Sequence, residues 1–130
     1  VRTILLAEDD PWGRALVRDV LAEDGFRVLE AWDAHDAIRL EAEHPGPIHL
    51  LLTDVMMGSM NGCDLASTLA SRRPGMRVLF MSAYDRSFLI GQGLDPDAPL
   101  LAKPFTVEHL TRRVLAVLGG DRARTWARAR

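Results

Sequence analysis

Leu50-Leu51-Leu52-Thr53-Asp54 decides the fold. Its first four residues offer no polar face and no turn former. Such a run suits a strand covered on both faces in a parallel sheet, and periodicity alone also admits a buried helix segment. Val55-Met56-Met57-Gly58-Ser59-Met60-Asn61-Gly62 follows, with two glycines and an asparagine that mark a loop and a helix entry. Asp54 therefore falls at the carboxyl end of a central strand, where open α/β sheets bind their ligands. Thr3-Ile4-Leu5-Leu6-Ala7 has the same character and runs into Glu8-Asp9-Asp10-Pro11. If the two strands are neighbours, Glu8, Asp9 and Asp54 share one pocket.

The chain has 130 residues and a net charge of −2. That length fits one domain and gives no global case for a nucleic-acid or anionic-membrane partner. The single Cys63 excludes an internal disulfide and a thiolate metal cluster. No apolar run approaches the roughly 20 residues of a membrane span, and no signal peptide leads the chain, so a soluble cytoplasmic domain is expected. The chain opens on Val1, so it is open to being a fragment of a longer protein.

Outward from these two runs, strand and helix patterns alternate. Asp10-Pro11 opens a first helix, with Leu16, Val17, Val20 and Leu21 inward and Gly25 as its stop. Phe26 to Ala31 forms a second strand. Asp33 caps a second helix that faces inward with Ala34, Ala37, Ile38 and Ala42 and ends at Pro45-Gly46-Pro47. Asn61-Gly62 opens a third helix with Leu65, Ala66, Leu69 and Ala70 inward, stopped by Pro74-Gly75. Arg77 to Met81 is a fourth strand ending on Ser82-Ala83, and Asp85 to Gln92 is a short fourth helix. Leu100-Leu101-Ala102 ends on Lys103-Pro104. Thr106 caps a last helix with Val107, Leu110, Val114 and Val117 inward. Strict alternation with short connections predicts an α/β fold: a doubly wound, flavodoxin-like five-stranded parallel sheet, order 2-1-3-4-5, with five helices. Residues 1–120 form the domain, and 121–130 form a basic tail or helix extension.

In that order, Glu8 and Asp9, Asp54, Ser82 and Lys103 all reach one rim. Three carboxylates about 5 Å apart repel by roughly 3 kcal/mol per pair at an effective dielectric near 20. A hard divalent ion with oxygen ligands resolves this, and Mg²⁺ suits one or two carboxylates plus a phosphate oxygen. Lys103 adds a second positive charge and Ser82 a neutral donor. Metal, ammonium and hydroxyl around a carboxylate make a site for a phosphoryl group on Asp54.

Glu8-Asp9-Asp10-Pro11, Thr53-Asp54-Val55-Met56-Met57, Phe80-Met81-Ser82-Ala83 and Lys103-Pro104-Phe105, each with its preceding apolar run, resemble the four signature blocks of response-regulator receiver domains of two-component signalling. The resemblance covers about residues 3 to 118 and is nearest in wording to receivers attached to hybrid sensor histidine kinases. It implies that Asp54 takes a phosphoryl group from the phosphohistidine of a sensor histidine kinase or histidine phosphotransfer protein. Glu8, Asp9, Asp54 and the Met56 backbone carbonyl would hold Mg²⁺, Lys103 would pair with phosphoryl oxygens, and Ser82 would swing to bond one of them. Pro104 would follow a cis peptide bond. The face of helix four, strand five and helix five is a candidate homodimer contact. Two positions depart from the pattern: Gly58 stands where receivers usually carry Pro, and Leu100 where many carry Tyr or Phe. The second departure favours phosphorelay or scaffolding over a large allosteric swing.

Simpler readings stand beside these. Asp10 is expected as a helix cap rather than a ligand. His35, His44, His49 and His109 show no ligand spacing. Cys63 reads as a small buried residue, Met56, Met57 and Met60 as loop and packing residues, and Trp12 as a shield over the pocket or plain packing. Arg122, Arg124, Arg128 and Arg130 around Trp126 read as a solvated extension rather than a nucleic-acid arm. Two enzyme or cofactor readings are weaker. An aspartyl-phosphate phosphohydrolase needs an acid where Met56 stands. A flavin module needs a phosphate cradle where Glu8-Asp9-Asp10 would repel it. A receiver-shaped scaffold acting without phosphorylation is the remaining alternative.

Overall fold

The computed structural model describes residues 1–119. In chain order it contains β1 (Thr3–Ala7), α1 (Pro11–Glu23), β2 (Arg27–Ala31), α2 (Ala34–Glu43), β3 (Leu50–Asp54), α3 (Gly62–Ala70), β4 (Arg77–Ser82), α4 (Arg86–Gly91), β5 (Leu100–Ala102) and α5 (Val107–Gly119). The strands form one sheet in the order β2-β1-β3-β4-β5, with every pair parallel. The basic tail expected at 121–130 lies outside the described residues.

Alternation along the strands builds two cores, because successive side chains leave a strand on opposite faces. Leu5, Leu51, Val78 and Phe80 pack on one face with Ala34, Ala37, Leu65 and Leu69 of α2 and α3. Ile4, Leu6, Leu50, Leu52, Leu79 and Met81 pack on the other with Val17, Leu21, Leu110 and Val114 of α1 and α5. Both faces being covered explains why β1, β3 and β4 read as apolar runs, whereas the edge strand β2 carries Arg27 and Glu30.

The helix starts follow their caps. Side chains of Asp10, Asp33, Asn61 and Asp85 accept the backbone N–H of Gly13, Asp36, Asp64 and Phe88. Thr106 Oγ1 accepts the N–H of His109 at 3.0 Å. Asp10 is thus a cap, as expected. Beyond α1, Gly25 takes a φ of +94°, a conformation that side chains resist.

Three inward assignments need correction. Leu16 is 56% exposed, Val107 is exposed, and Ala42 faces solvent. Its neighbour Glu41 is buried instead. Its carboxylate receives Arg72 Nη1 and Arg73 Nε, each at 2.9 Å, and Arg73 also donates to the carbonyls of His44 and Gly46. This paired acid closes the turn between α2 and β3. Trp12 is 84% exposed and neither shields a pocket nor packs. Met57 is buried, Met60 and Cys63 lie partly buried against the first core, and Met56 is 38% exposed.

Candidate functional site

The carboxyl rim of the sheet gathers the polar residues. Ala7 pairs with Thr53, so the next residues, Glu8 and Asp54, leave β1 and β3 side by side. The ladder continues through the Glu8 N–H, which donates to Ala31 O at 3.1 Å, and the Val55 N–H, which donates to Met81 O at 3.0 Å. On the far side Ser82 pairs with Ala102, and the Lys103 N–H donates to Ser82 O at 2.8 Å. Lys103 and Pro104 are joined by a cis peptide bond, as the resemblance implied.

Glu8 and Asp54 are 2% and 5% exposed, while Asp9 is exposed. Lys103 Nζ lies 2.7 Å from Glu8 Oε1 and 2.7 Å from Asp54 Oδ1. One ammonium therefore serves two buried carboxylates. Burial, reinforced by Glu8, pushes the Asp54 carboxyl up to about 8 against the pull of Lys103. For Glu8, burial works upward too, but hydrogen bonds with Asp54, Lys103 and the Asp10 amide prevail and hold it below the usual carboxylate range. Asp9 is raised, by burial and by the Glu8 charge. Burial pulls Lys103 down, but Asp54 and Glu8 overcome it and raise its pKa. Burial and the neighbouring acid thus work against full charge on Asp54, while Lys103 works for it.

One carboxylate oxygen from each of Glu8, Asp9 and Asp54 falls within 4.8 Å of the others. Three hard oxygen donors on a rim are the chemistry of a magnesium site, and no histidine or thiol joins them. Ser82 is buried, and its Oγ accepts the Tyr84 N–H at 3.0 Å. That bond uses a lone pair and leaves the hydroxyl hydrogen to donate. A groove of about 310 Å³ opens beside Glu8 and Lys103, walled by Leu16, Val17, Ala83, Pro104 and Phe105. This is the face that Leu16 serves in place of the core.

The departures take shape here as well. Gly58 has a φ of +26°, which proline cannot adopt. Leu100 is partly buried against the first core, with its carbonyl 3.4 Å from Arg113 Nη2.

Two contributors escaped the sequence reading. Arg14 Nη1 donates to the Glu8 carbonyl at 2.8 Å, and its Nε lies 3.8 Å from Glu30 Oε1. An arginine one turn into a helix that opens on acids was the available signal. Gly62 donates its N–H to Val55 O at 2.7 Å and packs directly on the Asp54 carbonyl. Only the glycine itself hinted at that approach.

The family model for the response regulator receiver domain matches residues 4–115. The chain belongs to that family. As a receiver it is 32% identical over 120 residues to the response regulator receiver protein CpdR of Brucella abortus, covering 91% of this chain and 98% of CpdR. It is also 32% identical over 118 residues to the uncharacterised transcriptional regulatory protein YcbL of Bacillus subtilis. There the receiver covers 88% of this chain but spans only 50% of the relative. Among solved structures, a response regulator receiver protein from Sinorhizobium medicae matches with 26% identity and a TM-score of 0.80, covering 92% of this chain and 96% of that one. The receiver domain of the hybrid histidine kinase CckA matches with 30% identity and a TM-score of 0.66, covering 86% and 94%. No helix among the described residues is long and apolar enough to cross a membrane.

Proposed function

We propose that the chain is a phosphoacceptor of a two-component or phosphorelay system, with Asp54 receiving the phosphoryl group. The observation that carries this is the convergence of Glu8, Asp9 and Asp54 on one ion-sized space, with Lys103 against two of them. An Asp54 oxygen attacks the phosphorus of a partner's phosphohistidine. The P–N bond breaks, and the imidazole leaves with the bonding pair. Mg²⁺, held by Glu8, Asp9, Asp54 and the Met56 carbonyl, would neutralise charge on the phosphoryl oxygens. Asp54 must give up its proton before attack. Lys103 then exchanges a carboxylate partner for a phosphoryl oxygen, and Ser82 turns its free hydroxyl hydrogen toward another.

The partner in this reading is a sensor histidine kinase or histidine phosphotransfer protein. The groove of Leu16, Ala83, Pro104 and Phe105 beside the acids gives its helices an apolar seat next to the reacting atoms. The exposed Tyr84, stacked on Phe88 with centroids 4.7 Å apart, and Ile90 offer α4 as the contact for output or a homodimer. The same reading keeps residues 1–120 as the receiver, treats 121–130 as a basic appendage without a nucleic-acid role, and places the chemistry in the cytoplasm. The domain signals rather than turns over substrate. Met56 sets an apolar side chain two residues past Asp54, where nothing orients a hydrolytic water, so self-dephosphorylation is weak. The phosphoaspartate is expected to persist for many minutes at neutral pH, and decay within seconds, followed by intact mass, would contradict this.

The test is intact mass after incubation with acetyl phosphate, with Mg²⁺ or with EDTA, on wild type and Asp54→Asn. A phosphoryl adduct requiring both Mg²⁺ and Asp54 is expected. Failure to form one, together with Mg²⁺ binding unaffected by Asp9→Ala, would leave a receiver-shaped scaffold read without phosphorylation.

A further inference from the structure

At the opposite end of the sheet from the acids, four strands are entered through basic residues. Arg2 precedes β1, Arg27 opens β2, His49 precedes β3 and Arg77 opens β4. The register sets them in a row: Arg27 pairs with Thr3, and Leu50, next to His49, pairs with Arg77. Arg2, His49 and Arg77 border one cavity of about 310 Å³, with Ile48, Met76 and Leu118 as apolar lining and no carboxylate in its walls among the described residues. That size is at the low end of small-molecule sites.

The arginines around this cavity are not equivalent. Arg73 is committed to the Glu41 carboxylate and to three carbonyls. Arg77 has nothing comparable: its Nε is buried without a hydrogen-bond partner among the described residues. Neither Arg2 nor Arg77 makes an ion pair among the described residues. A guanidinium nitrogen withdrawn from water needs an acceptor, and the fold supplies one to Arg73 but not to Arg77. His49 adds a donor. Its Nδ1 accepts the Thr3 N–H at 2.9 Å, so in the neutral ring the proton sits on Nε2.

We propose that this cavity is a second ligand site, which takes a small organic oxyanion on Arg77, His49 and Arg2 with its apolar body against Ile48, Met76 and Leu118. The site is independent of the phosphoacceptor reading and lies at the other end of the strands.

Phenylphosphonate is the probe, since its carbon–phosphorus bond cannot donate to Asp54. It is titrated into the ¹⁵N-labelled full chain in EDTA and followed by amide shifts. Shifts are expected to concentrate at residues 47–49, 75–78 and 118. Arg77→Gln should weaken binding about ten-fold, as loss of a charge-assisted contact does, with Arg77→Lys recovering part of it. Arg2→Gln, a change at an exposed position, should weaken it as well while leaving the spectrum otherwise unchanged. Asp54→Asn should bind the probe as wild type does. Shifts confined to the acid rim, or untouched by both arginine variants, would overturn the proposal. Equal shifts with benzyl alcohol would reduce the cavity to an apolar crevice. Tighter, Arg77-dependent binding of a single-stranded oligonucleotide would make the rim a polyanion surface instead.

Discussion

Gly62 packs so closely on the carbonyl of Asp54 that a β-carbon there would overlap the carbonyl oxygen. The obstacle is backbone, which has little room to yield. Gly62→Ala is therefore expected to cost at least about 2 kcal/mol in urea unfolding, and to lower phosphorylation further by displacing Asp54. Gly58 has open space around it and only a φ of +26° to satisfy. Gly58→Ala should cost about 1 kcal/mol.

The buried acid pair makes metal-free stability depend on pH. Folded Asp54 holds its proton up to about 8, whereas the ordinary value is 3.8. Between these values the native state binds the extra proton. The stability contributed by that proton is full below the unfolded value and is lost as pH rises toward the folded one. In EDTA the urea midpoint of wild type should fall from about pH 5 to about pH 8, and Asp54→Asn should remove most of that slope. A wild-type slope matching the Asn variant would refute the assignment.

Arg14 holds the turn that carries the acids through the Glu8 carbonyl rather than through any carboxylate of the cluster. Arg14→Ala should leave the fold intact but weaken Mg²⁺ binding about ten-fold, the effect common for groups that orient ligands. Calorimetric titration of Mg²⁺ into both proteins measures it.

Glu41 gives the opposite pH signature. Burial works to raise its pKa, but hydrogen bonds from Arg72 and Arg73 prevail and lower it. Its contribution is present above the unfolded value of 4.5 and lost as pH falls through the folded one. Both arginines keep some water, which moderates the penalty for stranding them. Glu41→Ala should cost about 2 kcal/mol at neutral pH, and the gap from wild type should close in acid. Phosphorylation of Asp54, on the far rim, should be unchanged.

Sequence reading reached the strands because β1, β3 and β4 carry apolar runs, and the helix starts because Asp10, Asp33, Asn61, Asp85 and Thr106 cap them as their chemistry dictates. It reached the acid cluster and Lys103 because strand ends and strand order settle which residues share a rim. Helix faces were harder. A periodicity argument sends Leu16 and Ala42 inward, and both assignments fail because of what lies beside them. Leu16 borders the groove beside Glu8, and Glu41 is drawn in by arginines that follow it by 31 and 32 residues. Arg14 and Gly62 were silent because one acts on a carbonyl and the other by lacking atoms.

The two-sided core leaves the strands with little of their own to hold them in step. A strand slid by one residue still presents apolar side chains on both faces of the sheet, since Ile4, Leu5 and Leu6 of β1 and Leu50, Leu51 and Leu52 of β3 are apolar without alternation. What such a slide changes is the ends. Drawn inward by one place, Asp54 or Glu8 would take the buried position of Thr53 or Ala7, away from Lys103; pushed outward, Thr53 or Ala7 would replace the acid at the rim. The charged rim therefore acts as a vernier for the whole sheet, and the residues offered for chemistry also keep the strands from slipping.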